Sequence, residues 1–121
     1  PHRIGKGSNK VPLKEGMVVS NEPGYYEAGW GGVRLENLYV VETDYDMPDH
    51  PDGKRWLRLQ ALTLIPFDTS LIDWSQMSEA ENVWLGRYHR EVWDTISPML
   101  GDDDQHWLWE KCQLPGITIS A

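Results

Sequence analysis

Basic charge, cysteine and long apolar runs are all scarce in this chain. Its 121 residues hold 11 Lys and Arg against 19 Asp and Glu, a net charge of −8. Nucleic-acid binding rewards basic faces, so no nucleic-acid partner is expected. No stretch approaches the ~18 apolar residues of a membrane span, so no bilayer crossing is expected. Cys112 is the single cysteine, which excludes an internal disulfide and a thiolate zinc site and fits a reducing compartment. With no basic, apolar and small-residue series of a secretory signal at its start, the expected location is cytoplasmic. Familiar catalytic patterns are missing too. There is no G-x-S-x-G elbow, no G-x-G-x-x-G or P-loop, and no H-E-x-x-H spacing, so serine hydrolysis and nucleotide binding lose their support.

What is present has the balance of a soluble globular protein about one domain long, with 40% hydrophobic and 25% charged residues. Seven tryptophans stand out. They either fill a small core or form a broad packed face for a subunit contact.

The first residues, Pro1 to Glu15, lack periodicity and read as loop. A turn over Leu13–Met17 leads to a short strand, Val18–Glu22, and Pro23 suits its end. Gly24–Gly32 reads as a turn region holding the aromatic pair Tyr25 and Tyr26. Val33–Glu42 reads as one strand whose alternation puts Arg34, Glu36, Leu38 and Val40 on a common face. A polar loop over Thr43–Arg55 precedes a strand over Trp56–Pro66, expected to pair antiparallel with its predecessor. Ser78-Glu79-Ala80-Glu81 is a capping box. A helix follows, with Ala80, Val83, Trp84, Tyr88, Val92, Trp93 and Ile96 at helical spacing, closed by Pro98 and Gly101. Asp102–Asp104 favour the positive end of a second helix running to about Cys112. The tail from Leu114 shows no pattern. The fold class expected is α+β, β-rich over residues 1–67 and helical over 68–121.

Glu22 and Glu36 are the candidates for chemistry. Held by neighbouring strands with a glycine-rich turn between them, two carboxylates can point into one cleft and share a cation pair. Glu22 taken alone also reads as an exposed acid beside a Pro-Gly turn. Glu36 lies among the apolar Leu38 and Val40, and a buried carboxylate costs several kcal/mol unless a cation compensates it. Arg34 on the same face could be that cation, or could support a metal ligand. Hard divalent ions favour carboxylate oxygen, but a two-ion site needs more ligands than two glutamates. The histidines, His2, His50, His89 and His106, belong to no ligand spacing and read as solvated or helix-surface residues.

The stretch Ser20-Asn21-Glu22-Pro23-Gly24-Tyr25-Tyr26, followed by Gly32-Val33-Arg34-Leu35-Glu36-Asn37-Leu38, resembles the end of the catalytic domain in Xaa-Pro aminopeptidases. These are "pita-bread" metallopeptidases, together with prolidase, methionine aminopeptidase and creatinase. Pro1–Gly5 looks like the sequence after that family's His-Glu-Gly segment, Leu62–Pro66 like its final strand, and Met77–Leu100 like the C-terminal helical extension of its long members. The resemblance implies a C-terminal β-ribbon portion of the pita-bread domain over 1–67 and a dimerisation-type extension over 68–121. It implies that Glu22 ligates one metal and helps shuttle a proton, that Glu36 bridges two metals, and that Arg34 supports ligand and substrate. The metals would be a divalent pair, manganese first, with zinc or cobalt as alternatives. The reaction would release an N-terminal residue that precedes proline, in a homodimer built through the C-terminal helices. The two aspartates and the histidine that complete the five-ligand set have no counterpart here, and Gln60 replaces a frequent glutamate. The chain is therefore expected to be inactive by itself. The alternatives are a non-catalytic self-association module and one half of a split enzyme.

Overall fold

The computed structural model describes residues 11–115. The chain divides after Thr63 into two compact units. One is all β, the other helical, so the fold class is α+β.

Five strands build the first unit: β1 (Val18–Asn21), β2 (Gly24–Glu27), β3 (Gly31–Arg34), β4 (Asn37–Thr43) and β5 (Leu57–Ala61). They form an antiparallel sheet in the order β1-β4-β5 and a separate hairpin of β2 and β3. Gly16, at φ 83°, makes the turn over Lys14–Met17 that delivers the chain to β1. β4 is rich in aromatic and β-branched residues, suited to a central strand. Its pairing with β5 is antiparallel, Val41 facing Leu59.

Val33–Glu42 is not one strand, as its alternation suggests, but two strands in different sheets. The break has a chemical cause. Leu35 N–H donates to the Pro23 carbonyl at 3.1 Å, but Pro23 has no N–H to return, so this rung carries one bond where a paired rung carries two. The expected turn over Gly24–Gly32 is a hairpin, with only Ala28–Trp30 turning. The last strand is shorter than the expected Trp56–Pro66. At its end Thr63 Oγ1 accepts from Leu38 N–H at 2.9 Å and Leu62 N–H donates to Leu38 O, so a hydroxyl takes over from the ladder.

The sheet has one buried face. Val19, Asn37, Val41 and Thr43 are buried and, by pairing and alternation, share it. Leu38 lies on the other face and is 44% exposed. The expectation that Glu36 sits on the apolar, buried side is therefore wrong. Glu36 is exposed, beside the break, where solvent satisfies its charge.

In the second unit α1 (Glu79–Ile96) starts on the capping box read from the sequence. Glu81 N–H donates to Ser78 Oγ (3.3 Å), and Ser78 N–H donates to Glu81 Oε2 (2.8 Å). The Ser78 hydroxyl and backbone bonds hold the Glu81 carboxyl below its ordinary value. α2 (Asp102–Cys112) opens on three aspartates and carries Lys111 in its last turn, both favourable to the helix dipole. The core joins Leu85, Tyr88, His89 and Val92 of α1 to Leu108 and Cys112 of α2, with Leu114 beyond. The stripe is rotated from the expected one, for Val83 and Trp84 are exposed. Leu114 is likewise buried, not part of an unstructured tail.

His89 overturns its reading as a helix-surface residue, being wholly buried. Its Nε2 accepts from Phe67 N–H at 3.0 Å, which leaves Nδ1 to donate to the Cys112 carbonyl at 3.1 Å. Both polar atoms of the ring are thus satisfied, which is what makes the burial affordable. None of the described tryptophans is among the buried residues, and Trp30, Trp56, Trp84 and Trp107 are exposed. They do not fill the core.

Removal of the cap tests the register of α1. Ser78→Ala should destabilise the helical unit by about 0.5–2 kcal/mol, as loss of an N-cap hydroxyl does. Denaturant melts followed by helix circular dichroism will measure it, and an unchanged midpoint would sink the assignment of Ser78 as the cap.

Candidate functional site

Glu22 follows β1 and Glu36 precedes β4, at the break between the two sheets. The ladders on either side keep one register. Asn21 faces Asn37 in the first and Gly24 faces Arg34 in the second. One step along each strand from Asn21 and Asn37 therefore sets Glu22 opposite Glu36. Residues opposite each other in an antiparallel ribbon point to the same side. The rungs of that side are Ser20·Leu38, Glu22·Glu36, Gly24·Arg34 and Tyr26·Gly32.

Arg34, the last residue of β3, ties this side together. Its Nη1 lies 3.0 Å from Glu22 Oε2, and its Nε donates to Tyr26 Oη at 2.7 Å. The other Glu22 oxygen accepts from Ser20 Oγ at 2.9 Å. The guanidinium also lies over the Tyr26 ring, 5.8 Å from its centroid. The hydrogen bond to Tyr26 raises the Arg34 pKa above its ordinary value, followed by the fields of Tyr26, Glu22 and Glu36. Both acids thus act on one cation. The pair is half-exposed, with side chains 50% and 43% accessible, so its role is orientation more than stability.

Two glycines make this geometry available. A Cβ at Gly24 would stand 2.6 Å from Tyr26 Oη, and one at Gly32 would collide with the same ring at Cδ1. The phenol lies in the trough these glycines leave, and from there it reaches Arg34.

The donor set suits a hard divalent cation, which prefers carboxylate oxygen. It is not a whole site. Among the described residues no group of three or more His, Cys, Asp or Glu could hold a metal ion. None of the described histidines joins Glu22 and Glu36. His50 packs edge-on against Trp56, His89 is the core residue described above, and His106 is exposed on α2. His2 lies outside the described residues. Gln60 sits in β5 opposite Val40. The Cys112 thiol is buried and pushed up to about 11 by that burial, so it is no nucleophile.

The sequence reading missed Tyr26 and Ser20. The signal was available, because Ser20, Glu22, Gly24 and Tyr26 alternate with period two. Treating Pro23-Gly24 as the end of a strand hid it.

The comparisons with known proteins fall on the same residues. Residues 1–43 match the model of metallopeptidase family M24, and residues 55–114 match that of the C-terminal region of peptidase M24. The chain is 46% identical over 104 residues to "Aminopeptidase P2" of Arabidopsis thaliana, which covers 85% of this chain and 14% of that protein. It is 40% identical over 116 residues to "Probable Xaa-Pro aminopeptidase P" of Laccaria bicolor, covering 93% of this chain and 18% of that one. Among solved structures it is similar to the X-prolyl aminopeptidase of Caenorhabditis elegans, described as a cytosolic enzyme with a di-nuclear active site. That likeness has a TM-score of 0.75 and 30% identity, and covers 91% of this chain and 18% of the other. The chain spans less than a fifth of the length of these relatives. Matched in succession by both family models and sharing the pita-bread structure where they overlap, this chain belongs to metallopeptidase family M24 and is similar to the C-terminal part of its Xaa-Pro aminopeptidases.

Proposed function

We propose that this chain supplies Glu22 and Glu36 to the two-metal centre of an Xaa-Pro aminopeptidase, the remaining ligands coming from polypeptide outside it. The observation that carries this reading is the register. Glu22 and Glu36 are directly opposed on one side of the ribbon, with Arg34 held against Glu22. Glu22 would help hold one ion, and Glu36 would serve both. A pair of divalent ions, manganese in our reading, would lower the pKa of water and polarise the scissile carbonyl.

The chain's own residues prepare that site. Ser20 and Arg34 each occupy one side of the Glu22 carboxylate and leave its other lone pairs free for a cation. Tyr26 fixes the Arg34 guanidinium through Nε, so that Nη1 is presented to Glu22. A carboxylate held from two directions has little freedom left to lose on binding an ion, which is how supporting hydrogen bonds raise metal affinity. The substrate is a peptide with proline second, and the compartment is the cytosol, as for the nematode relative. Alone, the chain is expected to be inactive.

Mn²⁺ titration tests this reading, on the chain alone and mixed with the upstream portion of a relative such as the Arabidopsis protein. Tight binding of two ions and release of a residue from an Xaa-Pro peptide are expected in the mixture only, and Glu36→Gln should abolish both. Turnover by the 121-residue chain alone would falsify it.

The helical unit supports a further part of the proposal, self-association. Trp84 (49%), Trp107 (54%) and Met99 (69%) are exposed large apolar residues, of the types that subunit contacts favour. Sedimentation of the purified chain should show a dimer or larger species. Trp107→Arg should shift the population towards monomer, and a monomer at all concentrations in the unaltered chain would overturn the dimer.

A further inference from the structure

We propose that His89 is an acid-sensitive latch that holds the segment Leu64–Phe67 on α1. This segment opens the helical unit, and through it the chain arrives from the unit that carries Glu22 and Glu36. No regular secondary structure holds it. Two adjacent side chains of α1 hold its backbone instead. Tyr88 Oη donates to Ile65 O at 2.9 Å and lies 3.3 Å from Ile65 N, and His89 Nε2 accepts from Phe67 N–H at 3.0 Å. The same imidazole donates from Nδ1 to Cys112 O, one of the last carbonyls of α2, which has no partner within its own helix. One ring therefore joins three parts of the unit.

A neutral imidazole offers one donor and one acceptor, and this site uses both. A proton taken up from solvent would go to the lone pair of Nε2. It would set an N–H against the Phe67 N–H and leave the bond from Nδ1 to Cys112 intact. Protonation thus cuts the tie to the segment and spares the tie to α2.

The surroundings favour such a switch. Burial lowers the pKa of His89 from its ordinary 6.5, and the Cys112 carbonyl opposes that only in part. Because the latched pKa lies below the released one, the latch is whole above about pH 6.5 and weakens as the pH falls through the lower, latched value. Asp68, next to Phe67, is held below its ordinary value by Ser70 and feels the positive charge of Lys111, next to Cys112. The Cys112 thiol stays neutral, and Tyr88 faces the segment as a phenol. His89 is the group here whose ordinary pKa falls between pH 5 and 8.

Hydrogen exchange of the whole chain at pH 7.5 and pH 5.5, expressed as protection over the intrinsic rate, tests the latch. Protection of the Phe67 amide should fall with pH, at its steepest about tenfold per pH unit, while the Val92 and Leu108 amides keep theirs. In His89→Gln, whose amide can both donate and accept, Phe67 protection should not change with pH. Equal Phe67 protection at both pH values, or loss shared with Val92 and Leu108, would overturn the latch. If the variant does not fold, ring ¹⁵N spectra of the unaltered chain decide. A neutral Nδ1–H tautomer that titrates with the midpoint of the Phe67 change is expected. An Nε2–H tautomer or a separate midpoint refutes the proposal.

Discussion

A single antiparallel register runs from the Val18·Val40 rung to the Glu27·Gly31 rung, and the candidate chemistry of this chain depends on it. The hydrogen bonding is interrupted midway because Pro23 cannot donate, yet no residue is gained or lost at the interruption. A one-residue slip would turn one acid to the opposite side of the ribbon from the other. With the register kept, Ser20, Glu22, Tyr26, Arg34 and Glu36 share a side, and the bonds from Tyr26 to Arg34 to Glu22 can form. Both acids lie on the side of the exposed Leu38 and are themselves accessible. Burial in a covered sheet would have cost several kcal/mol for each carboxylate left without a compensating cation.

The glycines of the hairpin belong to that constraint. Gly24 and Gly32 are small because the Tyr26 ring lies over them, not because the backbone there needs a positive φ. The arginine is positioned by an aromatic ring, and the ring by missing side chains. The conformational demand falls elsewhere, at Gly16, Gly29, Gly31 and Gly53.

The helical unit solves a different problem with polar groups. Its α1–α2 core is small, and at its centre is an imidazole where an aliphatic residue would serve for packing alone. The ring is there for what it bonds: an amide of an irregular segment and a carbonyl at a helix end. Most buried polar groups in proteins are matched, and here one residue matches two. Trp84 and Trp107 of this unit stay exposed.

Local chemistry made much of this legible in advance. The capping box, the acidic start of α2 and the antiparallel partner of β4 each depend on neighbours in sequence or on side-chain alternation, and the chain shows them as read. So did the likeness carried by Glu22 to Tyr26 and Gly32 to Leu38, because a motif records residues that share a site whether or not the fold is known. The sequence could not show where Val33–Glu42 breaks, since one missing N–H on a partner strand interrupts it. It could not show which side of the strand is buried, since burial is decided by what packs there. Nor could it show that His89 lies inside, since that required Phe67 and Cys112 to arrive from 22 and 23 residues away. The likeness of a sequence motif pointed to the family and to the two candidate acids. Only the tertiary structure decided their common side, the Tyr26–Arg34 support and the buried imidazole, because each rests on contacts between atoms distant along the chain.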